Sequence, residues 1–213
     1  ILDRRPIIFQ EELEPRRVSA INKASENLLK NVNVWDELIS HNSTHDFEKI
    51  KVWDELGNGM ISFEASSLGL ENLGHIVPNS DICQTLHHAL KFMPGASLQF
   101  ESEIISIDKM ENGVFITLNS GEKIFTKLLV GADGVNSAVR KLEGILQSID
   151  NYNHTAIVAT VDIEPNYNKC AYQCFTKIGP LAFLPISKDK CSIVWSVLSS
   201  NAARLLEMNE NNF

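Results

Sequence analysis

Residues 123–140, KIFTKLLVGADGVNSAVR, limit the possible folds more than any other stretch. An apolar run through Leu128, Leu129 and Val130 ends in Gly131, Ala132, Asp133 and Gly134, and a helix-like segment closing on Arg140 follows. Strand, glycine turn, then helix is the unit from which α/β layers are built. In such sheets ligands gather at the carboxyl ends of the strands, where Asp133 would offer a carboxylate to sugar hydroxyls. Gly134 lets the backbone turn sharply or lets a ligand come close. A helix opening near Asn136 or Ser137 would aim its first amides the same way, a setting that suits phosphate, with Arg140 placed to pin the loop. A plainer reading stands beside this one: Asp133 and Asn136 serve only as turn and cap residues.

The rest of the chain divides by periodicity. In VSAINKASENLLKNV, the residues Ala20, Ile21, Ala24, Leu28 and Leu29 fall at helical spacing, with Ser19 as cap. VWDELIS predicts a short second helix. Residues 79–92 predict a third, with Ile82, Leu86, Ala89 and Leu90 on one face and Asn79 or Ser80 as cap. Between them, 47–77 alternates apolar and polar residues around the turn LGNG. SLQFES, IISIDK, GVFITLN and KIFTKLLVGA read as strands separated by the turns MENG and NSGE. TAIVATVDI, AYQCFT, LAFLPIS and CSIVWSV then fill 155–197 with almost no helix between them, and SSNAARLLEMNENNF opens another helix. The expected class is α/β with α+β interleaving. One α/β domain comes from 1–43 and 76–148; a domain built on a mixed or antiparallel sheet comes from 44–75 and 149–213.

Charge and cysteine usage remove several functions. A formal net charge of −8 with no dense Lys/Arg block argues against nucleic acid as a partner. No apolar run approaches the ~20 residues of a membrane-spanning helix. The four cysteines, at 83, 170, 174 and 191, include a C-x3-C with no second pair, so reduced core thiols are expected and no metal site. His41 and His45 lie in HNSTH, which reads as a solvated loop. The opening ILDRRP reads as the tail of a strand, so the chain is expected to begin inside a domain. Asp3 then stands where dinucleotide-binding folds place a ribose-binding acid, about 20 residues past their glycine fingerprint. No G-x-G-x-x-G occurs in the chain, which leaves a surface aspartate as the alternative.

RRVSAINKASENLLKNVNVWDEL, LGHIVPNS, KLLVGADGVNSAVR and GPLAFLPISKDKCSIVWS together resemble the flavin-dependent hydroxylases of ubiquinone biosynthesis. Within that group the likeness is nearest to the bacterial 2-octaprenylphenol (2-octaprenyl-6-methoxyphenol) hydroxylase type, a branch of the class A flavoprotein monooxygenases. It covers nearly the whole chain in the same motif order. It implies a partial FAD-binding Rossmann-like domain beside a substrate domain, laid out as in p-hydroxybenzoate hydroxylase. It also implies FAD as cofactor, NAD(P)H and O2 as co-substrates, and hydroxylation of a polyprenylphenol ring.

By position, the resemblance gives Asp3 to the adenosine ribose, Arg17 to the pyrophosphate or ribityl region, and Asn79 to the ribityl chain. It gives the backbone at Ile104 to the adenine, Asp133 and Gly134 to FAD and the pyridine nucleotide, and Arg140 to steadying that loop. No catalytic base is assigned; His75 has the chemistry, with a structural role as its other reading. The second sheet would wall the ring pocket, with Phe183, Leu184, Pro185 and Trp195 as candidates and core packing as their alternative role. The resemblance further implies a prenylated phenol as substrate, other ubiquinone-biosynthesis proteins as partners, and a cytoplasmic place with peripheral contact at the inner membrane. The family's G-x-G-x-x-G and its later GD motif are both missing, so the chain reads as an internal piece that would not hold FAD tightly alone. Two rivals stand: another class A hydroxylase acting on a soluble phenol, and a non-catalytic prenylphenol-binding or assembly subunit.

Overall fold

The computed structural model describes residues 1–6, 17–164 and 169–209. The chain forms two compact units, one from 1–9 and 90–150, the other from 10–89 and 151–213.

In the first unit, β6 (Ile104–Met110), β7 (Gly113–Leu118) and β8 (Lys123–Thr126) form an antiparallel meander. Its inner face buries Ile116 and Leu118. Residues 1–3 run beside 97–102: Leu2 bridges Gln99, the Asp3 amide donates to the Gln99 carbonyl (3.0 Å), and the Ser102 amide donates to the Asp3 carbonyl (3.0 Å). The stretch SLQFES, expected as a strand, makes only that bridge. The short helix α4 (Ala138–Leu142) packs on β6.

The expected strand KIFTKLLVGA is cut short. β8 stops at Thr126, where its ladder to β7 ends, and the Thr126 hydroxyl donates to the Leu128 carbonyl (2.9 Å). Leu128 and Val130 are 75% and 71% exposed. An extended backbone needs a ladder partner for its amides, and among the described residues none pairs with 127–132.

The second unit holds two sheets. The smaller has the order β1 (Val18–Asn22), β5 (Gly74–Pro78), β2 (His45–Phe47), all antiparallel. The helices α1 (Lys23–Asn31), α2 (Trp35–Ser40) and α3 (Asn79–Lys91) cover one side of it. There Leu29, Val34, Trp35, Leu38 and Val77 form a core, joined by Ile21 and by Ile82, Leu86 and Ala89 from α3, the face that the helical spacing predicts. A fully buried side chain such as Leu38 contributes roughly 1.5–3 kcal/mol.

Ser19 is not a helix cap. Val18–Asn22 is a strand, and α1 is capped by Asn22, whose side chain accepts from the Ser25 amide (2.9 Å). The ladder to β5, Val18 opposite Pro78 through Asn22 opposite Gly74, outweighs the helical spacing of those five residues.

The larger sheet has the order β4 (Met60–Glu64), β3 (Lys49–Asp54), β10 (Cys170–Thr176), β11 (Gly179–Pro185), β12 (Lys190–Leu198), β9 (His154–Asp162). Only the β3–β10 pair is parallel. Ile76 of the small sheet meets Phe47, Ala171 and Ile186, with Ile50 and Leu184 around them. That shared core places 17–43 and 76–89 with the larger sheet, where the sequence reading puts them in the first domain. The helix α5 (Ser199–Leu206) closes the far end over Ile157 and Val197.

Candidate cofactor site

The loop after β8 is a closed circuit of hydrogen bonds. Asp133 Oδ1 accepts the Ser137 hydroxyl, and Oδ2 accepts the amides of Ala138 (2.6 Å) and Val139 (3.2 Å). Ser137, itself buried, accepts the Arg140 amide (3.0 Å). Arg140 returns its guanidinium Nη2 to the Val135 carbonyl. Gly134 has φ +81 with open space where a Cβ would stand, so its backbone conformation is what calls for glycine.

The Ser137 hydroxyl, foremost, and the backbone amides hold the Asp133 carboxyl below the ordinary aspartate range against an opposing desolvation. Both carboxylate oxygens are thereby engaged within the loop. The first amides of α4, expected to face phosphate, are taken by Asp133 and Ser137. The plainer reading describes this side chain as it stands: Asp133 caps the helix and sets the loop.

Asp3 lies in the same unit beside 97–102. Its Oδ1 accepts the Arg5 amide (2.9 Å), and that bond leads the effects that lower its pKa. Ile104 follows two residues after Ser102, pairs with Leu118, and precedes a β-bulge. The unit therefore brings Asp3 and Ile104 to neighbouring backbone segments, and Asp133, Gly134 and Arg140 into one loop.

Arg17 and Asn79 belong to the second unit and meet at one end of the β1–β5 ladder. The Asn79 amide donates to the Arg17 carbonyl (3.0 Å), and Asn79 Oδ1 accepts the Ser19 hydroxyl (2.7 Å). Asn79 thus does not use its side chain to cap α3. The Arg17 side chain is exposed, and among the described residues no carboxylate pairs with it. The exposed Arg17 guanidinium and the uncommitted Nδ2 hydrogens of Asn79 are each donors suited to an anionic or hydroxylated ligand. Ser19 was missed because helical spacing placed it at a cap; the run VSAIN, read as a strand beside β5, would have found it.

His75 stands on β5 facing the helices. It is buried, edge-on to Trp35 at 5.0 Å between ring centroids, with Nδ1 3.4 Å from Glu26 Oε2. Burial drives its pKa down, more strongly than Glu26 draws it up. Glu26 is buried too and held by Lys23 (2.9 Å) and Lys30 (2.6 Å).

The pocket-wall candidates separate by strand alternation. Leu184 joins the core around Ile76, and Trp195 packs against the cluster under α5. A row crosses all six strands through Ile61, Val52, Gln173, Ala182, Val194 and Val158, where Gln173 is the one polar side chain. All four cysteines are free thiols, and burial pushes Cys191 up to about 11. No helix among the described residues is long and apolar enough to cross a membrane.

Residues 8–203 match the FAD binding domain family. Over 99% of its length the chain is 35% identical to ubiquinone biosynthesis monooxygenase COQ6, mitochondrial, of Xenopus tropicalis, covering 47% of that protein. It is 33% identical to 3-demethoxyubiquinol 3-hydroxylase of Escherichia coli (strain K12), covering 96% of this chain and 52% of that one. The chain thus spans about half the length of the curated relatives it matches. PqsL of Pseudomonas aeruginosa, a probable FAD-dependent monooxygenase, superposes with a TM-score of 0.78 at 18% identity, over 96% of this chain and 55% of that one. That likeness establishes a shared fold.

Proposed function

The chain belongs to the FAD binding domain family, and on that premise we propose that it is part of a FAD-dependent monooxygenase hydroxylating a polyprenylphenol ring in ubiquinone biosynthesis. One observation carries the reading: relatives named for ubiquinone hydroxylation align over nearly all of the chain, in both of its units. NAD(P)H is the proposed reductant and a prenylated phenol the substrate. Work at the inner-membrane surface beside other ubiquinone-biosynthesis proteins follows from a lipid-tailed substrate.

Bound FAD would supply the redox chemistry that activates O2. The chain's own residues bind, orient and exclude water. Arg17 gives a positive charge to the pyrophosphate side and Asn79 a donor to the ribityl side. Asp3 keeps Oδ2 for a ribose hydroxyl while Oδ1 stays on Arg5. Asp133 and Arg140 hold the loop in one shape, so that Gly134 can present bare backbone. The apolar row from Ile61 to Val158 would lie against the ring and tail, with Gln173 to orient a phenol hydroxyl.

The test is turnover of the full-length protein with a prenylphenol, NADPH and isotopically labelled O2. A labelled oxygen atom on the ring supports the reading. A protein that stays flavin-free when FAD is supplied, or that oxidises NADPH without labelling the ring, contradicts it.

A further inference from the structure

We propose that Ser19 is the positioning residue for Asn79, holding its carboxamide in place with Oδ1 on the serine and the Nδ2 hydrogens left for the cofactor. The inference rests on the reading of Asn79 as a cofactor residue. A carboxamide has an acceptor end and a donor end that differ little in shape, so an unrestrained one samples both orientations. Here the Ser19 hydroxyl donates to Oδ1 at 2.7 Å, which commits the acceptor end to the protein. The Nδ2 hydrogens are then the group left for a hydroxyl or phosphate oxygen.

The backbone brings the two side chains within reach of each other. Ser19 is opposite Val77 in the ladder, and Asn79 is two residues further along, the diagonal neighbour that side chains can reach. The Asn79 amide, bound to the Arg17 carbonyl at 3.0 Å, ties the same corner a second time. Two candidate residues 62 positions apart are thus held in one frame, and Ser19, two residues along the strand from Arg17, caps no helix.

The experiment measures FAD affinity of the full-length protein by flavin fluorescence, with the urea unfolding midpoint of the FAD-free protein alongside. Ser19→Ala is expected to weaken FAD binding roughly tenfold (about 1.4 kcal/mol) with the midpoint nearly unchanged. Asn79→Asp, which keeps the acceptor and loses the donor, weakens it at least as much. Ser19→Thr, whose hydroxyl sits on a β-branched residue suited to a strand, restores it. The double variant Ser19→Ala/Asn79→Ala binds no more weakly than Asn79→Ala alone, because the serine acts only through the amide. Wild-type affinity in Ser19→Ala while Asn79→Ala loses binding overturns the positioning role and leaves the site reading standing. Additive losses in the double variant, together with a lowered midpoint, also overturn it, in favour of a purely structural contact. Undiminished affinity in Asn79→Ala overturns the site reading itself.

Discussion

Replacing Asp133 by alanine separates the two roles open to its carboxylate. The structure gives that side chain three donors: the Ser137 hydroxyl and the amides of Ala138 and Val139. Removing a helix-capping acceptor costs about 1 kcal/mol, within a range of about 0.5–2. Charge assistance raises the figure, and the exposure of the carboxylate screens it back. A loss of about 1 kcal/mol lowers Tm by about 2–4 °C in a protein of this size. Asp133→Asn keeps one acceptor oxygen and gives up the other, so its loss falls between wild type and alanine. Both variants are assayed by thermal and urea unfolding followed by circular dichroism, with FAD affinity measured on the same samples. A capping role predicts that stability and affinity fall together, in the order Asn then Ala. Unchanged unfolding with abolished FAD binding would refute the capping argument and make Asp133 a direct ligand.

Two further outcomes follow from the packing. A Cβ on Gly74 would stand 2.3 Å from the Ile21 carbonyl oxygen, a backbone atom of the paired strand, so Gly74→Ala costs about 2 kcal/mol or more in urea unfolding; a loss below about 0.5 kcal/mol would show that the ladder can part. Ser192 is fully buried with a hydroxyl that has no partner, so Ser192→Ala is neutral or stabilises by up to about 1 kcal/mol, and clear destabilisation counts against that assignment.

Stability also depends on pH through His75 and Glu26. Burial holds His75 below its ordinary value of 6.5; for Glu26, burial opposes ionisation, but hydrogen bonds from Lys30 and Lys23 outweigh it and keep the carboxyl low. Both groups bind fewer protons folded than unfolded, so their stabilising contribution is full above the histidine's ordinary value and is lost as pH falls, His75 first and Glu26 lower. His75→Gln should flatten the decline between about pH 5 and 7, read from urea midpoints; an unaltered slope would remove His75 from the account.

Much of the fold was legible because the strands are punctuated by turn residues and each covers a half-buried surface. β9 to β12 fall within a residue or two of the four segments read from alternation, and α3 presents the expected apolar face. What failed was decided by partners distant in sequence. VSAIN has helical spacing, yet its ladder to β5, more than 50 residues away, makes it a strand. LLVGA has strand composition, and among the described residues nothing pairs with it. At the candidate site, GADG-x-x-S-x-x-R marked a turn leading into a helix but could not say where the carboxylate points. The hydrogen bonds turn it onto its own helix, while Asn79 keeps its Nδ2 hydrogens and Arg17 an exposed guanidinium.

The most direct measurement is a titration of the full-length protein with FAD, wild type against Arg17→Ala, followed by the visible flavin spectrum of the bound form. Wild type is expected to bind FAD stoichiometrically and the variant at least roughly tenfold more weakly (about 1.4 kcal/mol), with the unfolding midpoint of the FAD-free protein unchanged. Wild-type protein that takes up no FAD, or an Arg17→Ala variant that binds it as tightly as wild type, would contradict the account.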